Sequence, residues 1–148
     1  MTGGRMRAEQ WDCPQSRRVA VARSEDERGV DLALQAWLRA MRFSRRAGVA
    51  LRPCGLSFAL FRVLETTERL QREMRDAVSQ QEVARECSLA KSSTCSLMRL
   101  LEKRALVDIG FDQWGFAQRI IVTKRGHAVL ANARPAIAIA ARESGLVL

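Results

Sequence analysis

Residues 90–104 read AKSSTCSLMRLLEKR, and the fold can be derived outward from this stretch. Its second half holds good helix formers, whereas its first half holds short side chains that are mediocre in a helix interior: Ser92, Ser93, Thr94, Cys95 and Ser96. A stripe with the spacing i, i+3, i+4 and i+7 predicts a helix that packs one face on a core. That stripe comprises Thr94, Leu97, Met98 and Leu101. The opposite face would then carry the polar side chains Ser92, Ser93, Ser96, Arg99 and Lys103.

The neighbouring elements follow the order of a winged helix-turn-helix. Residues 79–82, SQQE, have the S-x-x-E form of a capping box, which predicts a short helix before the quoted stretch. After Arg104 the apolar pattern takes the period of a strand, with strands predicted at 106–109 and 118–122 around a loop with aromatic tips. The fold class is therefore mainly α with a small β-hairpin wing, in which residues 90–104 form the recognition helix.

The remaining pattern divides the chain into four segments. Residues 1–28 are polar and poor in periodicity, which indicates a flexible N-terminal segment. Residues 29–54 form a helix whose apolar surface is broad enough to pack on a core and on a partner subunit. Residues 55–126 form the winged helix-turn-helix domain, and residues 127–148 form a last helix that Pro135 is expected to kink or break.

Charge and hydropathy narrow the class of partner. The chain has 148 residues and a formal net charge of +9, with a pI of about 10.8. This excess favours nucleic acid first and a membrane surface second, and an arginine-rich soluble protein is the alternative. No apolar run approaches the roughly 18 residues of a membrane span. The N-terminal stretch also lacks the apolar region of a signal peptide. We therefore expect a cytoplasmic protein with no membrane partner.

The reactive side chains do not indicate an enzyme. Four cysteines without C-x-x-C spacing predict reduced thiols: Cys13, Cys54, Cys87 and Cys95. With one histidine, His127, no zinc-ligand cluster is expected, and we expect no metal and no cofactor. A nucleophile elbow and a phosphate loop are also missing. Cys54 and Cys95 are candidates for a thiol-based redox switch, whereas Cys87 is expected to be buried and inert.

The serine-rich face of residues 90–104 suits contact with DNA. A recognition helix places its N-terminal residues against base edges in the major groove. Short side chains let the backbone approach, and each hydroxyl can donate or accept toward a base or a phosphate. Lys91 adds a full charge at that end of the helix. The alternative is a set of surface serines near a helix start, where serine is favoured anyway, but motif order and charge favour DNA.

The stretch AKSSTCSLMRLLEKRALV at 90–107 resembles the recognition helix and following strand of the multiple-antibiotic-resistance regulator (MarR) family. VSQQEVA at 78–84 is similar to the preceding helix of that family, and VTKRG at 122–126 to its last strand and helix start. The resemblance implies a homodimer joined through the N-terminal and C-terminal helices. It also implies a transcriptional regulator, interpreted as a repressor, that binds a palindromic operator in double-stranded DNA and is released by a small aromatic effector.

The resemblance and the exposed face together give candidate site residues. DNA contact is expected from Gln80, Lys91, Ser92, Ser93, Cys95, Ser96, Arg99, Lys103, Gln113 and Arg119. A ligand pocket would be lined by Trp37, Met41, Phe58 and Phe61. The same apolar side chains need no ligand if they are core residues, and the apolar stripe favours the core.

The sequence also departs from the family pattern. Ala90 replaces an aspartate that usually caps the recognition helix, so the helix start is expected to be looser or capped by Ser92. Ala105 replaces a glycine, which costs about 1 kcal/mol if the position is left-handed. The wing loop FDQWGFAQR is longer than usual and holds Phe116 where an arginine is common. A protein-interaction module that uses Trp114 and Phe116 is therefore an alternative function.

Overall fold

The computed structural model describes residues 22–115 and 118–146, which form five α-helices and one β-hairpin. In chain order the elements are α1 (Glu25–Ala50), a 3-10 turn (Arg52–Cys54), α2 (Phe58–Met74), α3 (Gln80–Cys87), α4 (Lys91–Lys103), β1 (Val107–Phe111), β2 (Gln118–Val122) and α5 (Lys124–Glu143). This order confirms the predicted winged helix-turn-helix. None of the described helices is both long and apolar enough to cross a membrane.

Most of the helices begin at a hydroxyl side chain that accepts a hydrogen bond from a first-turn N–H: Ser24, Ser57, Ser79 and Thr123. The predicted capping box of Ser79 and Glu82 is confirmed. A second box, formed by Ser24 and Glu27, starts α1 at Glu25, so the helix begins before the predicted residue 29. Residues 1–21 of the predicted flexible segment lie outside the described residues.

The hairpin is braced by a third stretch of chain. β1 and β2 pair antiparallel, with Val107 opposite Val122, and β1 extends to Phe111 beyond the predicted strand because the ladder continues. The segment before α3 adds an isolated bridge: Val78 N donates to Ile120 O at 3.1 Å, and Ile120 N donates to Val78 O at 2.8 Å. Since a two-stranded hairpin alone is marginal in water, this bridge helps to fix the wing on the helices.

One hydrophobic core joins the helices to the hairpin. Its most deeply buried side chains include Leu51, Val63, Leu64, Val78, Val83, Met98, Leu101, Val107, Ile120 and Leu130. The last helix passes through Pro135 without interruption, so of the predicted kink or break the break is wrong, and the kink stays a prediction. Pro135 and Ala131, whose carbonyl loses its N–H partner, both lie at exposed positions. Water can therefore take the place of the missing helical hydrogen bond.

Ion pairs hold α2 to its neighbours. Arg134 of α5 contacts both Glu65 and Glu68 of α2 at 3.0 Å. Arg69 of α2 contacts Glu86 of α3 at 3.1 Å, and this hydrogen bond is the main cause that raises the pKa of Arg69 above its ordinary value. The Arg69–Glu86 pair is exposed and contributes little stability. Glu68 is buried, so Arg134 supplies the opposite charge that its carboxylate needs where α5 packs on α2.

The start of α5 packs tightly against the turn between α4 and β1. A Cβ atom at Gly126 would collide with the carbonyl oxygen of Leu106 and press on the Val122 side chain. The Thr123 hydroxyl donates to the carbonyl oxygen of Ala105 at 2.7 Å. Ala105 has a φ of 57°, the left-handed conformation that disfavours any residue with a Cβ. Backbone contacts therefore set the distance between α4 and α5.

We expect Gly126→Ala to destabilise the protein by about 1–3 kcal/mol, because the added methyl group overpacks a contact made by backbone atoms. The free energy of unfolding in urea measures the loss. Gly29→Ala in α1 is the matched control, since nothing lies within 4 Å of its added Cβ atom. Helix propensity predicts a gain of up to about 1 kcal/mol for that control. A Gly126→Ala variant as stable as the parent protein would contradict the packing.

Candidate nucleic-acid interface

Helix α4 has one buried face and one exposed polar face. Thr94, Met98 and Leu101 are completely buried, and Leu97 is partly buried against the same core. The exposed polar side chains are Lys91, Ser92, Ser93, Ser96, Arg99, Glu102 and Lys103, and Leu100 is exposed as well. The predicted separation of the two faces is confirmed, whereas DNA contact by the exposed face stays a prediction.

The hydroxyl groups of α4 differ in their partners. Thr94 Oγ1 donates to the carbonyl oxygen of Ala90 at 3.1 Å, and Ser96 Oγ donates to that of Ser92 at 3.1 Å. In the described part of the chain, the hydroxyls of Ser92 and Ser93 have no hydrogen-bond partner. Both lie in the first turn of α4, where a helix in the major groove meets base edges.

Helix α4 begins without a capping side chain. Ala90 is its N-cap residue and makes no side-chain hydrogen bond, while Ser92 lies inside the helix. Of the two predicted alternatives, the uncapped start is therefore correct. Gln80 of α3 reaches the same end of α4, where its Nε2 donates to the carbonyl oxygen of Lys91 at 3.4 Å. This candidate DNA contact thus braces α4 against α3.

The turn between α3 and α4 is held by α2. A guanidinium nitrogen of Arg62 donates to the carbonyl oxygen of Cys87 at 2.6 Å. Ser88 then takes a left-handed conformation with a φ of 52°, which ends α3. Cys87 is buried, as predicted, and its thiol lies 3.8 Å from the carbonyl oxygen of Arg62. These contacts fix the angle at which α4 leaves α3.

The wing presents aromatic side chains. Trp114 is 69% exposed and Phe111 is 65% exposed, near the tip of the hairpin. Gln113 is exposed in the same loop, and Gly115 completes the turn with a φ of 76°. Phe116 lies outside the described residues. The sequence predicted Phe111 and Trp114 in a loop with aromatic tips, whereas the structure makes Phe111 the last residue of β1.

Arg119 was predicted to contact phosphate, and the structure pairs it with an acid of its own chain. Its guanidinium lies 2.7 Å from the carboxylate of Asp76, just beyond the end of α2. Both side chains are well exposed, so the pair is weak and a phosphate can compete for Arg119. Residues 107–118 contain no lysine or arginine. The wing therefore offers little charge to a nucleic acid.

The four candidates for an aromatic pocket differ in their exposure to solvent. Phe61 is buried in the core, and its ring stacks on Phe58 with centroids 6.5 Å apart. Phe58 also meets Phe43 edge-on at 5.2 Å, a contact that the sequence pattern did not identify. Trp37 and Met41 are exposed on α1. The core interpretation therefore fits Phe58 and Phe61 better than a shared pocket does.

The cysteine thiols differ in their exposure to solvent. Cys54 and Cys95 are half-buried, and Cys13 lies outside the described residues. A redox role for Cys54 or Cys95 stays a prediction. Across residues 22–115 and 118–146, no three His, Cys, Asp or Glu side chains are grouped so that they could hold a metal ion.

The N-terminal half of α1 extends beyond the body of its own chain. Every residue from 32 to 42 is exposed. The exposed apolar side chains are Val30, Leu32, Leu34, Trp37, Leu38 and Met41. An apolar groove between α1 and α5 continues this surface past Val49 and Ile139. A helix with so little support is marginal in water, and so large an apolar surface is typical of an interface.

Solved structures with a similar fold include regulators of one family. A MarR-family transcriptional regulator from Rhodococcus sp. RHA1 aligns with a TM-score of 0.65 and 24% identity, over 83% of this chain and 82% of the other. CouR from Rhodococcus jostii RHA1, bound to p-coumaroyl-CoA, aligns with a TM-score of 0.65 and 23% identity, over 83% and 81%. A Mycobacterium tuberculosis MarR-family protein in complex with DNA aligns with a TM-score of 0.63 and 20% identity, over 79% of this chain and 84% of the other.

No protein-family model matches the chain, and no curated protein matches it. Because the sequence identities to these three structures are 24% or lower, the similarity establishes a shared fold. The chain has the winged-helix fold of MarR-family transcriptional regulators, and the fold implied by the resemblance of residues 90–107 is confirmed.

We expect Ala90→Ser to raise the free energy of unfolding by about 1 kcal/mol, because a serine at the N-cap supplies the acceptor that α4 lacks. Urea unfolding measures the change. Ser79→Ala is the reverse control, since it removes an existing cap from α3 and should lower stability by a similar amount. If Ala90→Ser brings no gain, other groups already satisfy the first turn of α4.

Proposed function

We propose that this protein is a MarR-family transcriptional regulator that binds DNA sequence-specifically in the cytoplasm and catalyses no reaction. The observation that carries the proposal is the exposed first turn of α4, where Ser92 and Ser93 stand free beside the charged Lys91. The buried stripe on the opposite side of the helix turns these short side chains outward. In a winged-helix fold this is the end of the helix that enters the major groove.

The exposed face of α4 divides into two kinds of contact. Ser93 has a free hydroxyl on a short side chain, so it can hydrogen-bond to a base edge once the backbone comes close. Lys91, Arg99 and Lys103 are exposed cations that suit phosphates on either side of the groove. The net charge of +9 supports the same partner, since phosphate contacts supply most of the affinity for DNA.

We further propose that two copies of the chain form a homodimer through α1 and α5. The exposed apolar surface around Trp37 and Leu38 lacks a partner within its own chain, and Ile139 continues it on α5. A second copy would bury this surface and support the projecting half of α1. Because such dimers have two-fold symmetry, their two α4 helices would read a palindromic operator.

Repression and release by a small aromatic effector complete the proposal. A dimer that occupies promoter DNA blocks access to it, which makes repression the simplest consequence of binding. CouR, with a similar fold, has been solved bound to p-coumaroyl-CoA, and this supports an aromatic effector for a protein of this architecture.

A winged-helix module that binds another protein is the second candidate function. Its support is the exposed tip formed by Phe111 and Trp114, in a wing without lysine or arginine at 107–118. A gel shift with the promoter beside the protein's own gene separates the two functions. No preference for that DNA over random duplex at moderate salt would reject the regulator and leave the protein-binding module.

We expect Lys91→Ala and Ser93→Ala to alter DNA binding in different ways. Lys91→Ala should weaken binding to all sequences and reduce the salt slope by about two, one unit for each protomer. Ser93→Ala should leave the slope unchanged and reduce the preference for the operator by about thirtyfold, equivalent to about 2 kcal/mol for two neutral hydrogen bonds, one in each protomer. Gel shifts over a range of salt concentrations measure both quantities.

Arg142→Ala is the control for lost charge. Arg142 is exposed in the last turn of α5. Its neighbour Glu143 pairs with Arg46 of α1, so this end of α5 lies against α1 and not against α4. Its loss should leave the salt slope unchanged. If Lys91→Ala and Arg142→Ala behave alike, the exposed end of α4 is not the DNA-binding surface.

We expect Trp37→Glu to convert the dimer into a monomer, because it places a charge within the apolar surface of α1. Sedimentation velocity at micromolar concentration measures the change. Gln35→Glu adds the same charge two positions away, on the opposite side of the helix, and should leave the dimer intact. A Trp37→Glu variant that stays dimeric would exclude this face of α1 as the interface.

A further inference from the structure

Arg62 of α2 is a half-buried cation that has no acidic partner in the part of the chain that the structure describes. Its guanidinium lies between a backbone carbonyl and an aromatic ring. One nitrogen donates to the carbonyl oxygen of Cys87 at 2.6 Å, and the guanidinium carbon lies 6.0 Å from the centre of the Phe58 ring. Because a half-buried charge loses part of its hydration, these two contacts are what hold the side chain in place.

The carbonyl contact closes the C-terminal end of α3. The last carbonyls of a helix have no partner within the helix, and the negative end of the helix dipole favours a cation. Arg62 supplies both an N–H donor and a positive charge at Cys87, the last residue of α3. Beyond the left-handed Ser88, the N–H of Leu89 bonds back to the carbonyl oxygen of Ala84 at 3.0 Å. The turn that leads into α4 is therefore closed by a side chain of α2.

The ring contact links Arg62 to α1. Phe58 and Arg62 are four residues apart, so they lie one turn apart on the same side of α2. Phe43 of α1 meets the Phe58 ring edge-on, with an angle of 85° between the ring planes. An edge-on neighbour restricts the tilt of a ring, and a guanidinium that rests on the face of the ring follows that tilt. The position of Phe43 therefore influences the position of Arg62.

These contacts form an unbroken chain across three helices. The chain runs from Phe43 on α1 through Phe58 and Arg62 on α2 to the carbonyl of Cys87 at the end of α3. Contiguous packed groups of this kind can carry energetic coupling between distant elements. The ion pair of Arg69 with Glu86 also joins α2 to α3, but both of its side chains are exposed and neither belongs to the chain. Arg69 therefore offers a matched control for Arg62.

We propose that Arg62 is a positioning residue that couples the position of α1 to the direction of α4. A displacement of Phe43 tilts the Phe58 ring, moves Arg62 and loosens the end of α3, from which α4 departs. Since α1 belongs to the proposed dimer interface, the packing of two copies would influence α4 along this chain. That consequence for DNA binding rests on the proposed function, whereas the coupling itself is a property of the chain without DNA.

Hydrogen exchange of single amides, followed by NMR in the full chain without DNA, measures the coupling. The amide of Leu89 reports the turn, because its hydrogen bond to Ala84 breaks when the end of α3 opens. The amide of Leu64, in the buried part of α2, reports global unfolding. The ratio of the two rates corrects each variant for a change in overall stability, so a variant that is merely less stable does not imitate the effect.

Arg62→Gln should accelerate exchange at Leu89 about tenfold, because it removes a hydrogen bond from a charged donor. Arg62→Lys keeps the charge and a donor but loses the planar group that rests on the ring, so it should accelerate exchange only about threefold. Arg69→Gln removes the same charge from the same helix and should leave the corrected rate at Leu89 unchanged, since its ion pair lies away from the turn.

Phe43→Leu tests whether the coupling reaches α1. It should accelerate exchange at Leu89 about threefold in the parent chain, because leucine lacks the ring edge that meets Phe58. In the Arg62→Gln background the same substitution should have no further effect, since the chain of contacts is already broken. Phe111→Leu, at the exposed tip of the wing, is the matched control and should not alter Leu89 in either background.

Gel shifts over a range of salt concentrations extend the test to the proposed regulator. Arg62→Gln should reduce the preference for the promoter DNA over random duplex, because α4 leaves α3 in a less defined direction. It should leave the salt slope unchanged, since a positioning residue contacts no phosphate. Arg62→Lys should restore part of the preference.

The proposal is overturned if Arg62→Gln and Arg69→Gln change the corrected rate at Leu89 equally, or if Phe43→Leu accelerates exchange equally in both backgrounds. It is also overturned if Arg62→Gln lowers the salt slope by about two, one unit for each protomer, since Arg62 would then contact phosphate. A parent protein without preference for the promoter would reject the regulator, and hydrogen exchange would still decide the coupling. Failure of the coupling leaves the proposed regulator standing.

Discussion

The burial of Thr94, Met98 and Leu101 is the constraint on which the candidate interface depends. A helix turns by 100° per residue, so a shift of one position would expose part of this stripe and bury the serines without partners. The core therefore fixes which side chains of α4 face outward. The bridge from Arg62 to the end of α3 and the contact of Gln80 with Lys91 then fix the direction of the helix. Packing on the buried face therefore determines which side chains form the surface that we propose to contact DNA.

The two terminal helices, α1 and α5, differ in how firmly they pack on the winged domain. α5 is held to the winged domain through Arg134 and through the close approach of Gly126 to the backbone of Leu106. The first half of α1 has no comparable support, although it carries large apolar side chains. The winged domain therefore completes its core within one chain, whereas the projecting half of α1 leaves an apolar surface exposed, which the proposed second copy would bury.

Local patterns predicted most of the fold, and long-range contacts explain what they missed. The stripe of α4 and the capping box at Ser79 depend on spacing along the chain, so the sequence displayed them directly. The course of α5 through Pro135 depends on solvent access, which spacing does not report. The pairing of Arg119 with Asp76, and the contact of Arg62 with the end of α3, join residues far apart in sequence. Such juxtapositions follow only from the tertiary structure.

The bridge between Val78 and Ile120 has a consequence for the choice of DNA. It ties the wing to the chain that enters α3, so in the proposed regulator the hairpin, α3 and α4 would act on DNA as one rigid reader. A rigid reader cannot follow variations in groove width, and the energetic cost of a poor fit falls on the nucleic acid. The protein would then prefer DNA with flexible base steps between the points of contact, although it does not contact those steps itself.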